Sequence, residues 1–263
     1  MARRLAKRKP NRWLRRLDPR RWPRLPAAAW VAVGLAALAG ANACYQMARK
    51  PSELLGLLLP GAAKAPAETW KAYGSLFREH ATPAIGPELL AALAQMESSG
   101  DPLACAAWRF RWSSNPLRLY GPASSAVGLL QMTDGTYQQA RRLCIRDHAV
   151  ARDGPWYDPR TCFFNALYSR TVPSHAIEMT AAWLHLTSEQ ILARPGVRSP
   201  SVDERRALVA VLHLCGPERG AAFAARGFRT LRGERCGDQD LRAYLGRVRI
   251  LAAAFEVAMA AND

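Results

Sequence analysis

Pro87-Glu88-Leu89-Leu90-Ala91-Ala92-Leu93-Ala94-Gln95-Met96-Glu97-Ser98-Ser99-Gly100 carries the signals of one amphipathic helix and its stop. Proline suits a first helical turn, where its missing N–H would have had no intrahelical partner. Leu89, Leu90 and Leu93 recur at helical spacing, and Gly100 stands where a helix end is expected. Glu97 lies four residues beyond Leu93, and seven and eight beyond Leu90 and Leu89, so it continues the apolar stripe. Burial there penalises the ionised carboxylate unless it is paired, and a carboxyl held protonated near neutrality is what a general acid requires. The plainer alternative is a last-turn glutamate that bends out to solvent or caps a neighbouring segment.

On either side of this helix, 3.6-residue periodicity runs through 67–80, 134–150, 174–193, 203–214, 218–226 and 238–260, and long alternating strand patterns are absent. These spacings predict an all-α domain over about 68–263. A composition with 49% hydrophobic and 22% charged residues excludes wholesale disorder.

The formal net charge of +16 is unevenly placed. Residues 1–26 hold eleven of the 37 Lys/Arg against Asp18 alone, so the remainder carries only about +6. A basic tail can be a nucleic-acid arm, but an uncharged apolar run from Ala27 to Cys44 follows at once. Its eighteen residues, at 1.5 Å each, reach about 27 Å, just enough to cross a hydrocarbon core. The expected organisation is a basic cytoplasmic tail (1–26), a transmembrane signal anchor (27–44), a linker (45–67) and the helical domain on the far side of the membrane, with no nucleic-acid partner. Ala41-Asn42-Ala43 leaves open cleavage by a signal peptidase, which would free the domain or leave it lipid-anchored on Cys44.

Six cysteines suit an oxidising compartment. Cys144 with Cys162, and Cys215 with Cys236, would each close a loop of about twenty residues, contributing ~3 kcal/mol apiece; buried free thiols are the alternative. No Cys/His spacing suggests a metal, and no Ser-His-Asp or phosphate-cradling glycine motif occurs.

The stretch Ser125-Ala126-Val127-Gly128-Leu129-Leu130-Gln131-Met132 follows the Glu97 helix. Gly128 would let backbone approach a ligand closely, and Gln131 offers a donor and an acceptor suited to an acetamido group. Glu97-Ser98-Ser99-Gly100 with this stretch resembles the E-S-x-G and G-A-x-G-L-M-Q motifs of the SLT-type lytic transglycosylases, relatives of goose-type lysozyme. Ala176 to Leu184 looks like that family's N-I-x-x-G-x-x-Y-L helix, and Leu212-His213-Leu214-Cys215-Gly216-Pro217 resembles its A-Y-N-A-G-P segment with one residue inserted. The likeness covers about 85–230. Two departures stand out: a Trp/Arg-rich insertion at 105–123, and Leu212, or nothing, where the family has a tyrosine approaching the catalytic acid.

The resemblance implies a lysozyme-like domain that cleaves peptidoglycan glycan strands without a cofactor or metal, with Glu97 as the single acid/base. It also implies that Ser98, Ser99, Ser125, Gly128, Leu129 and Gln131 contact the glycan, and His213 could add a polar contact. Ser98 and Ser99 serve equally well as helix-end caps. Asp101 and Asp134 read as caps or surface groups, Asp147 and His148 as a surface ion pair more than a dyad, and Trp108, Trp112 and Tyr120 as core more than a sugar-stacking wall. A hydrolytic muramidase on the same scaffold, or a non-catalytic peptidoglycan-binding or assembly protein, are the alternatives.

Overall fold

The computed structural model describes residues 26–49, 61, 63–158, 160–162, 165 and 167–261. The basic tail and most of the expected linker lie outside these residues. Helix α1 (Ala27–Arg49) is followed by α2 (Pro66–Glu79) and α3 (Pro87–Ser98), then by strands β1 (Trp108–Phe110) and β2 (Tyr120–Pro122). Next come α4 (Asp134–Ala140), β3 (Leu143–Arg146), β4 (Ala149–Arg152), α5 (Pro173–Leu192), α6 (Val202–Cys215) and α7 (Pro217–Ala225). Strands β5 (Arg235–Cys236) and β6 (Gln239–Asp240) lead into α8 (Leu241–Ala260).

Helix α3 is the axis of the domain. It was expected to bury one stripe, yet Glu88 through Ala94 are all buried, because α2 and α8 pack along it and its alanines let them come close. Leu89, Leu90 and Leu93 join Phe77 of α2, Ile177 of α5, Leu212 of α6 and Phe255 of α8 in one apolar core. Burying each such side chain stabilises the fold by about 1.5–3 kcal/mol. Arg206 of α6 bonds both Glu88 (2.9 Å) and Glu256 (2.8 Å), which pins the start of α3 between α6 and α8.

The described residues are mostly helical, in line with the all-α expectation, but three two-stranded antiparallel sheets among them interrupt the helices. The helix expected over 134–150 stops at Ala140. Beyond it, Arg146 pairs with Ala149 across Asp147 and His148, which both take left-handed conformations (φ 48° and 61°), as a two-residue hairpin turn demands. Asp147 and His148 are therefore turn residues. Both expected disulfides form, Cys144–Cys162 and Cys215–Cys236.

Helix α1 continues to Arg49, five residues past the expected end of the apolar segment. It is long and apolar enough to cross a membrane. Its exposure is inverted relative to a helix on a water-soluble surface: Val31, Leu35 and Leu38 face outward, while Asn42 and Gln46 are buried. Helix α1 packs against the 3₁₀ turn Pro116–Arg118, and Gln46 bonds that turn and the start of β2.

Candidate active site

The last turn of α3 is held from two sides. Ser99 adopts the left-handed conformation (φ 51°) and ends the helix, and Gly100 follows at φ 73°, where a Cβ would stand 2.2 Å from Thr69 Oγ1. The Lys64 N–H donates to Ser99 O (2.7 Å), and Gln95 Nε2 donates to Lys64 O (2.9 Å). Ser99 is thus a helix cap. Ser98 Oγ lies 2.7 Å from Leu129 O and 3.0 Å from Ala94 O, so its hydroxyl staples the 125–132 loop to the helix that carries Glu97.

Within that loop, most of the residues expected to touch a ligand face the protein instead. Gly128 (φ 85°) does permit a close approach, but of the protein's own backbone: a Cβ there would meet Arg170 O at 2.0 Å. Leu129 is fully buried in the core. Gln131 Nε2 donates to Ala104 O (2.9 Å) and Gly128 O (3.0 Å), so its amide nitrogen braces the loop and its carbonyl end is what remains for a ligand. Ser125 Oγ accepts from the Asp134 N–H (3.1 Å). Arg170 clamps the loop from outside by donating to Ser125 O (2.8 Å) and Met132 O (2.9 Å) while pairing with Asp134 (2.9 Å). These contacts arise from how the turn must close, which residue type alone does not reveal.

Glu97 itself is partly buried, its side chain 19% exposed. Two side chains from distant segments meet its Oε1. The Tyr244 hydroxyl donates at 2.8 Å, and His213 Nε2 lies at 3.8 Å. Burial holds the Tyr244 phenol well above its usual pKa, and the Glu97 charge adds to this, so the phenol remains a donor. Burial also holds His213 below the usual histidine value, against the pull of Glu97. His213 thus lies beside Glu97, whereas Leu212 is buried in the core.

The aromatic side chain that reaches Glu97 comes from α8, as Tyr244, and not from residues 212–217. It lies on the buried stripe Leu241, Tyr244, Val248, Ala252 and Phe255 of α8. A tyrosine on such a stripe needs a partner for its hydroxyl, and a buried glutamate needs a donor, so these two unmet requirements were the available signal. Asp101 accepts from the Leu103 N–H (2.9 Å) and Asp134 pairs with Arg170, so both neighbouring aspartates are engaged elsewhere. Cavities of about 560 Å³ between α6 and α8, and about 550 Å³ beside His80, His148 and His175, lie away from Glu97. No group of three or more metal-binding side chains occurs among the described residues.

Compared with known protein families and with curated proteins, the chain matches none.

Proposed function

We propose that this chain is a membrane-anchored lytic transglycosylase of the bacterial cell envelope, cleaving peptidoglycan between N-acetylmuramic acid and N-acetylglucosamine. The observation that carries the proposal is a single half-sheltered carboxyl, Glu97, gripped on one oxygen by Tyr244 with His213 alongside. Because Oε1 is occupied, Oε2 is the oxygen that carries and returns the proton. The motif likeness of residues 97–100 and 125–132 supports the substrate class, and two disulfides agree with an oxidising compartment.

Most glycosidases need two carboxylates, but substrate-assisted ones need one. Protonated Glu97 gives its proton to the glycosidic oxygen as the C1–O bond breaks. The muramic 2-acetamido oxygen bonds to C1 and shares the positive charge. Glu97, now a carboxylate, takes the proton of the 6-hydroxyl as O6 attacks C1 and the acetamido oxygen departs. The product is a 1,6-anhydro sugar, no water is consumed, and Glu97 regains its starting state. A polymer substrate requires an open approach rather than an enclosed pocket, which suits a carboxyl at a helix end.

In this proposal α1 spans the inner membrane, the basic tail stays on the cytoplasmic side and the domain faces the wall. The outward apolar surface of α1 supports the span, since in water that surface would be uncovered. The test of the reaction is incubation of the full chain with purified sacculi and mass spectrometry of the released muropeptides. Anhydro ends are expected. Reducing ends would assign a hydrolytic muramidase on the same scaffold, and no release would leave a binding or assembly role.

A further inference from the structure

The β1–β2 hairpin takes no part in the proposed reaction, yet it presents a surface unusual for a water-facing loop. Phe110, Trp112 and Tyr120 are 67%, 96% and 46% exposed, so they are neither core nor covered. Tyr120 pairs with Phe110 across the strands, and its ring lies 5.5 Å from that of Trp108 and 6.4 Å from that of Phe110, which gathers these three rings together. Residues 105–123 also hold Arg109, Arg111 and Arg118 and no acid.

What covers this face is indicated by what the hairpin is built on. Gln46, near the end of α1, donates from Nε2 to Leu117 O (3.1 Å) and Tyr120 O (3.3 Å). Gly121 allows the approach, since a Cβ there would come within 3.2 Å of the same nitrogen. The hairpin therefore sits at the level where α1 changes from apolar residues to Asn42, Gln46 and Arg49. Trp and Tyr, each an apolar body with a polar edge, beside an apolar Phe and interleaved with arginines, are what a membrane–water interface accepts, and guanidinium groups pair well with phosphates.

We propose that the β1–β2 hairpin seats Phe110 and Trp112 in the interfacial layer of an anionic phospholipid bilayer beside α1, which fixes the height and orientation of the Glu97 site above the membrane. This inference rests on α1 spanning the membrane, as proposed above. The test is the full chain reconstituted into phosphatidylethanolamine/phosphatidylglycerol vesicles that contain a phospholipid with a photoreactive diazirine near the glycerol backbone. Adducts are then mapped by mass spectrometry. Adducts on both α1 and residues 108–120 are expected. The double variant Phe110→Ser/Trp112→Ser should lose those on the hairpin, keep those on α1 and still clear detergent-dispersed sacculi. Adducts on α1 alone would overturn the hairpin inference and leave the span standing, and adducts on neither would overturn both. Protection of residues 108–120 from hydrogen exchange by glycan fragments, without lipid adducts, would make the hairpin a sugar platform and likewise overturn the inference.

Discussion

At the scale of single residues, the proposed chemistry depends on how two neighbours, one of them a hydrogen-bond donor, treat one carboxyl. Tyr244 holds Glu97 Oε1 at 2.8 Å, and burial keeps its phenol protonated. A hydrogen bond to a charged group is worth about 1.5–3 kcal/mol, which is about ten- to hundredfold in rate if it is felt wholly in the transition state. Tyr244→Phe keeps the ring in the core and removes only the hydroxyl. It is expected to lower kcat by that factor while KM changes little, as measured by turnover of solubilised glycan strands. An unchanged kcat would remove Tyr244 from the mechanism. The position of Glu97 was readable from its spacing to three leucines. Its partner was not, because Tyr244 lies 147 residues further along and only the fold brings them together. The same holds for Gln131 and Gly128, whose residue types were compatible with ligand contacts but whose amide nitrogen and close backbone approach, respectively, are spent on the turn itself.

At the scale of elements, the Cys215–Cys236 bridge joins the end of α6 to the hairpin that starts α8. His213 stands two residues before one cysteine, and Tyr244 eight residues after the other. The bridge thus ties together the two segments that supply the partners of Glu97. Its removal in Cys215→Ser/Cys236→Ser should cost about 3 kcal/mol by loop closure, read from the urea midpoint, and should lower activity at temperatures where the domain remains folded. Loss of stability with full activity would show that the bridge has no share in arranging the site. Helices α3, α5 and α6 were legible because each pairs a clear period with a proline or a capping serine at its start, as Ser201 does for α6. The short sheets were not. Leu143–Arg146 is too short to display alternation, and the decisive feature, two consecutive left-handed residues at Asp147 and His148, carries no glycine to announce it.

At the scale of the whole molecule, four of the five histidines respond to acid in the same way. Burial lowers the pKa of His80, His175, His185 and His213, with nearby carboxylates opposing it. The unfolded chain takes up these protons near pH 6.5, and the folded chain only at lower pH. Stability is therefore fully present above about 6.5 and falls as the pH drops through that value toward the folded pKa values. The urea midpoint should be lower at about pH 5 than at about pH 7.5, and a flat or rising midpoint on acidification would contradict the buried, neutral state of these side chains. Under the proposed function, the outward apolar surface of α1, the exposed aromatics of the β1–β2 hairpin and the site at the end of α3 would belong to a chain that works on a polymer next to a membrane. The most direct measurement is clearing of purified sacculi by full-length Glu97→Gln, with an unchanged circular dichroism spectrum and melting profile as the control. The substitution keeps the side-chain volume and the contact with Tyr244 but cannot give or take the proton. Clearing should fall by about a hundred- to ten-thousandfold. Clearing at the rate of the unsubstituted chain would show that Glu97 is not the acid/base.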